Sequence, residues 1–132
     1  MNSDLMKERT KSFALRVIKL VEALPKSKTA DVIGHQLLRS STSVAANYRA
    51  ACRARSTAEF ISKLGIVEEE TDESIFWLEM LIDAEIIGET KLQNLVAECN
   101  ELLAIVVSSI KTARRGKINN KSAIRNRKSE ME

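Results

Sequence analysis

The sequence predicts an all-α fold, an up-down-up-down antiparallel four-helix bundle. Three observations carry this expectation. Val, Ile and Thr recur at steps of three and four residues and never in sustained alternation, so no strand pattern competes. Aromatic residues are only 4% of the chain, which suits an aliphatic helix bundle better than a sheet. Pro25, Ser56, Gly88 and Gly116 punctuate the 132 residues into long segments with short connections, and short connections favour antiparallel neighbours.

The first helix is expected over about residues 4–24, where Met6, Phe13, Val17, Leu20 and Leu24 make one apolar row. The second, about 29–54, carries Ile33, Leu37, Val44, Tyr48 and Ala51, with Ser40 and Asn47 along the same face. The third, about 57–86, opens on Ser56-Thr57-Ala58-Glu59. This is a capping box: Ser56 accepts from the Glu59 N–H, and Glu59 reaches back to the Ser56 N–H. Its inner row is Phe60, Leu64, Val67, Thr71, Ile75, Leu78 and Ile82, close to a heptad, which predicts helix crossing near ~20°. The fourth, about 89–112, has Leu92, Leu95, Cys99, Leu102, Val106 and Ile110 as its seam. Val96, Leu103 and Val107 widen that seam to roughly 140°, beyond the usual ~100° stripe. Residues 1–112 thus form the bundle. Residues 113–132, rich in Asn, Ser, Lys and Arg, read as a basic mobile tail.

Composition narrows the class. Hydrophobic residues are 44% and charged residues 30%, the balance of a globular domain rather than a disordered chain. No apolar run approaches the ~20 residues of a membrane span, and the N-terminus lacks the apolar stretch of a signal peptide. The expectation is a cytoplasmic protein with no membrane partner. Cys52 and Cys99 lack CxxC spacing and read as reduced, partly buried thiols. The net charge of +3 hides an asymmetry. Residues 1–110 hold 13 Lys/Arg against 16 Asp/Glu, a net −3, while residues 111–132 hold 8 against 2, a net +6.

No reaction chemistry stands out. His35 has no second ligand at metal spacing, the helix 3 carboxylates lack Glu-x-x-His partners, and Ser40, Ser41 and Ser43 have no nucleophile-elbow context. Gly34, Gly65, Gly88 and Gly116 are too dispersed for a phosphate loop; close helix contact would account for Gly34 and Gly65. The reading is therefore a non-enzyme with no cofactor, no metal and no small-molecule substrate.

The outer faces carry the remaining signal. At about 100° per residue, His35, Arg39, Thr42, Ala46, Arg49 and Arg53 share one face of helix 2 opposite the core row. On helix 3, Ile66, Trp77 and Leu81 gather with Glu70 and Glu73, also away from the core row. An aromatic-aliphatic outer patch marks an interaction site or the margin of its own core. If it is an interface, Arg39, Arg49 and Arg53 of one copy complement Ile66, Glu70, Glu73, Trp77 and Leu81 of another, a head-to-tail contact that can close into a ring. Glu68, Asp72 and Glu79 flank the core row, where one of them can pair with Arg39, or they form a solvated acidic edge. Arg49, Arg53 and Arg55 also form a basic cluster, as do Lys111, Arg114, Arg115, Lys117, Lys121, Arg125, Arg127 and Lys128; such clusters can neutralise nucleic-acid phosphates. Tyr48 is the only aromatic near the arginines, so base stacking is poorly supported.

The segments "QLLRSSTSVAANYRAACRAR" and "EFISKLGIVEEETDESIFWLEML" resemble the bacterial four-helix-bundle family of the 23S rRNA intervening-sequence protein. They are also similar to the accessory variability protein of diversity-generating retroelements. The resemblance spans about residues 8–110, with Arg39, Ser40, Val44, Asn47, Glu68 and Trp77 matching as fold and assembly positions. It implies a homopentameric ring without catalysis. In the retroelement branch it implies binding to nucleic acid and a reverse transcriptase, which the net −3 of residues 1–110 argues against. Two function classes follow: a ring-forming protein of undetermined molecular role that binds RNA or DNA, and an interaction scaffold whose acidic body recruits a basic partner.

Overall fold

The computed structural model describes residues 2–131, with side chains over residues 2–118. Four α-helices follow in order: α1 Ser3–Glu22, α2 Lys28–Cys52, α3 Thr57–Asp83 and α4 Glu89–Met131. No strand occurs among the described residues. Each helix packs on the next in sequence, and α1 also meets α4, so the four surround one core.

The inner rows of α2 and α4 match the expected ones closely. Leu92, Leu95, Cys99, Leu102, Val106 and Ile110 are all buried, as are Ile33, Leu37, Ser40, Val44, Tyr48 and Ala51. In α1, Met6, Phe13 and Val17 are buried, with Thr10 and Ala14 beside them, while Leu20 and Leu24 are half-buried at the margin. A polar contact lies between α2 and α3, where the Ser74 hydroxyl donates to the Ser40 hydroxyl oxygen at 2.9 Å in a fully buried position. Both hydroxyls also have backbone carbonyls within reach, Leu37 for Ser40 and Glu70 for Ser74. Two small side chains can therefore sit in the core without an orphaned oxygen.

The helix starts follow side-chain caps. Asn2 Oδ1 accepts from the Leu5 N–H at 2.8 Å, and Ser27 Oγ accepts from the Ala30 N–H at 3.1 Å. Ser56 Oγ accepts from the Glu59 N–H at 3.1 Å, as the capping box predicts. The return bond differs: Glu59 Oε2 accepts from the Arg55 N–H at 3.2 Å, one residue before the expected Ser56 N–H.

Two helix ends differ from expectation by more than two residues. The third helix stops at Asp83 rather than at 86, because Glu85 adopts a left-handed backbone (φ 58°). The Ile86 N–H then donates to the Leu81 carbonyl at 3.0 Å and the Glu85 N–H to the Ile82 carbonyl at 2.9 Å. This is the Schellman pattern, usually built on glycine. The sequence signal for the break, Gly88, lies three residues too late. Because a left-handed glutamate carries a Cβ penalty, Glu85→Gly should stabilise the fold by about 1 kcal/mol, read as a raised urea midpoint. An unchanged or lowered midpoint would mean that the left-handed turn is not retained in solution.

The fourth helix passes through Gly116 instead of ending at Thr112. One exposed glycine costs a helix only about 1 kcal/mol, which flanking Arg and Lys residues of good helix propensity absorb. The glycines inside α2 and α3 also divide. A Cβ on Gly34 would lie 2.9 Å from Leu24 Cδ1 and 3.3 Å from Val21 Cγ1, so close packing of α1 accounts for it. A Cβ on Gly65 would meet nothing within 4 Å, and helix contact does not account for that glycine.

Candidate nucleic-acid interface and outer faces

The arginine face of α2 points outward as expected: His35, Arg39, Thr42, Ala46, Arg49 and Arg53 are all exposed. Its residues have different fates. Arg39 pairs within its own chain, with Glu70 at 3.3 Å and with Glu73. Partial burial works against its charge, but hydrogen bonds and the charges of Glu70 and Glu73 outweigh this and hold the guanidinium pKa above its ordinary value. The pair is exposed enough that its stability contribution is about 0–1 kcal/mol. Glu70 and Glu73 therefore face α2 of the same molecule, and the expected partners Glu68, Asp72 and Glu79 are not used.

The outer face of α3 needs a second correction. Leu81 is fully buried, with 0% exposure, and belongs to the core. At about 100° per residue it lies on the same flank as Ser74, and that flank is covered by α2. Ile66 and Trp77 are half-buried, and Trp77 packs against the core margin. Its Nε1 is buried with no hydrogen-bond acceptor among the described residues. Phe76, which the sequence reading did not single out, is 49% exposed and meets Trp77 edge-on at 4.8 Å between centroids.

A second ion pair closes the seam between α1 and α4. Arg9 Nη2 lies 2.5 Å from Glu98 Oε1 and 3.3 Å from Glu101 Oε1. The hydrogen bond to Glu98 is the main cause of its raised pKa, against partial burial.

Several of the candidate cations gather at one end of the molecule. Arg49, Arg53 and Arg55 make no ion pair among the described residues. They line a groove of about 440 Å³ with Ala46, Ala50, Glu59 and Lys63. Arg114 and Lys117 of α4 line another depression, with Ala58 and Ile61 from the start of α3. The two basic clusters, some sixty residues apart in sequence, thus flank the first turns of the same helix. Arg115 is exposed in α4 beside them. The side chains of Lys121, Arg125, Arg127 and Lys128 lie outside the described ones. Lys63 is a member that sequence reasoning missed; its position four residues after Glu59 on α3 was the available signal. Acids occupy the rest of α3 and its exit, since between Lys63 and Lys91 there is no Lys or Arg.

Tyr48, the aromatic expected near the arginines, is buried and unavailable to a base. Burial first, then the adjacent Cys52, raises its pKa to about 12. Cys52 is half-buried and Cys99 buried, both as free thiols. Among the described residues, no group of three His, Cys, Asp or Glu could hold a metal ion, and no helix is long and apolar enough to cross a membrane.

These features define a small all-α protein with charged and aromatic outer helix faces. The chain belongs to the 23S rRNA-intervening sequence protein family, which it matches over residues 4–108. A solved structure from Bacteroides thetaiotaomicron VPI-5482, described as a protein of unknown function from the S23 ribosomal protein family, is similar at 35% identity. The match covers 84% of this chain and 99% of that one, with a TM-score of 0.78. A comparison with curated proteins finds no match.

Proposed function

We propose that this protein is a non-enzymatic, cytoplasmic, self-assembling up-down-up-down four-helix bundle that binds nucleic acid through its basic end. The observation that carries the binding half is the convergence of Arg49, Arg53, Arg55 and Lys63 with Arg114 and Lys117 around the first turns of α3. Cations from separate segments, without an ion pair among the described residues, suit a polyanion at this end, because each phosphate they neutralise releases a counterion. The antiparallel topology is supported by connections of four or five residues between successive helices.

Assembly into a ring, with five copies favoured by the family resemblance, is supported by the Phe76–Trp77 edge and the orphaned Trp77 Nε1, a buried donor that a neighbouring copy could satisfy. With Arg39 already engaged inside its chain, the aromatic edge is the better interface candidate. Phe76→Asp should dissociate the assembly and leave the helical content intact, as read by native mass spectrometry and circular dichroism. A monomeric wild-type mass at micromolar concentration would remove the ring.

Binding is tested by fluorescence anisotropy with labelled RNA and DNA at several salt concentrations. Affinity should fall steeply between ~50 and ~200 mM salt, and truncation after Thr112 should flatten that dependence. No binding at low salt would overturn the nucleic-acid reading and leave an interaction scaffold for a basic partner. That second reading is supported by the acids of α3 between Glu68 and Asp83. A reverse transcriptase is the less favoured protein partner, given the acidic balance of residues 1–110.

A further inference from the structure

The groove holding Arg49, Arg53, Arg55 and Lys63 does not end at α2. A second groove, of about 380 Å³ between α1 and α2, is lined by Lys7, Glu8, Lys11, Ala45, Ala46 and Arg49. Ala46 and Arg49 belong to both grooves, so the two join across the outer ridge of α2. Along this stretch the ridge is low, because the α2 residues that line the grooves beside Arg49 are Ala45, Ala46 and Ala50.

From this continuity we infer that α1, α2 and α3 form one basic trough that seats the sugar-phosphate backbone of a nucleic-acid duplex. The inference rests on the nucleic-acid reading above and assigns its seat. Six cations line the trough: Lys7 and Lys11 of α1, Arg49 of α2, Arg53 and Arg55 of the connection that follows it, and Lys63 of α3. Glu8 and Glu59 are the acids among the lining residues, and Glu59 is engaged with the Arg55 N–H at the α3 cap. Lys7 is held at 3.2 Å by Asp4, which is itself 89% exposed and competes weakly.

The trough favours a duplex over a single strand. Single-strand grooves rely on aromatic side chains on which bases stack. This lining has none, and Tyr48 is turned into the core. Alanine floors and point charges read backbone position rather than base identity. Binding should therefore be independent of sequence.

The test uses the full chain and a labelled 20-base-pair duplex, with log affinity measured against log salt. The trough variant is Lys11→Gln, Arg49→Gln, Arg53→Gln and Lys63→Gln together. The control is Arg16→Gln, Lys19→Gln, Lys26→Gln and Lys28→Gln, which removes the same charge from exposed positions away from the trough. Circular dichroism confirms that both fold. The trough variant should lower the salt slope by about 4 and weaken binding roughly 100-fold or more at ~100 mM salt, while the control keeps its slope within about 1 of wild type.

Equal loss in both variants would show that net charge alone acts, and would overturn the trough. Unchanged binding in the trough variant would overturn it while leaving the nucleic-acid reading standing, whereas no binding by wild type removes both. Tighter binding of oligo(dT) than of the duplex, or binding of poly-L-glutamate as tight as that of the duplex, would likewise count against a duplex seat.

Discussion

Phe13→Ala should destabilise the fold by about 3–5 kcal/mol, the cost of emptying a fully enclosed aromatic site. Phe13 is 0% exposed, and it is the largest of the fully buried side chains. Met6 and Val17, a helical turn or two away on α1, are equally enclosed, so few neighbours can collapse into the space without moving the helix. A domain of this size has only about 5–15 kcal/mol of stability, so the variant loses a large fraction of it. With a urea dependence near ~2 kcal/mol/M the midpoint should fall by about 2 M. Leu15→Ala, two residues on but 51% exposed, should stay within about 0.5 kcal/mol of wild type. Similar small losses in both variants would mean that α1 does not pack through Phe13.

Alkaline pH should destabilise the protein by several kcal/mol, with Cys99 as the main cause. Its thiol is fully buried and near the Thr71 carbonyl at 3.5 Å. Burial first, then the charges of Glu98 and Asp72, pushes its pKa up to about 12. The unfolded chain ionises the same thiol near ~8.5 and Tyr48 near ~10, while in the folded protein both wait until about 12. Above pH ~8.5 the unfolded state therefore binds fewer protons than the native state, and stability falls as pH rises. At about 1.4 kcal/mol per unit, Cys99 alone removes roughly 3 kcal/mol by pH ~11. Urea midpoints under reducing conditions at pH 7.5, 9 and 10.5 would show this decline. Cys99→Ala should flatten the part below pH ~10, and Tyr48→Phe should reduce the remainder. An identical slope in wild type and Cys99→Ala would place the alkaline sensitivity elsewhere.

Both predictions concern residues whose inward position was readable in the sequence. Phe13 and Cys99 lie on apolar rows at helical spacing, and such a row has only one stable place, against other apolar rows. The same logic located the buried seams of α2 and α4 almost residue by residue, and the exposed arginines of α2. It erred at the flanks. Leu81 and Glu70 sit well round the helix from the α3 core row, an azimuth that is outer or covered depending on where the neighbouring helix lies. Periodicity gives the azimuth and says nothing of the neighbour's offset.

The basic end was half legible. The arginines of α2 and the cations of α4 could be counted as two clusters, but Lys7, Lys11 and Lys63 were scattered singles. The α3 exit was misplaced for a related reason: a left-handed glutamate is rare, so the helix was extended toward the first glycine.

The sequence by itself thus determined four helices, their inner faces and a polarised charge, because these follow from spacing within a single segment. Only the tertiary structure decided that Arg39 is paired at home, that Leu81 belongs to the core, and that cations from separate helices share one end. Those outcomes depend on which helices lie side by side and at what offset. That offset is set by packing summed over the whole core, where residues thirty to sixty positions apart first come within reach of each other's charge.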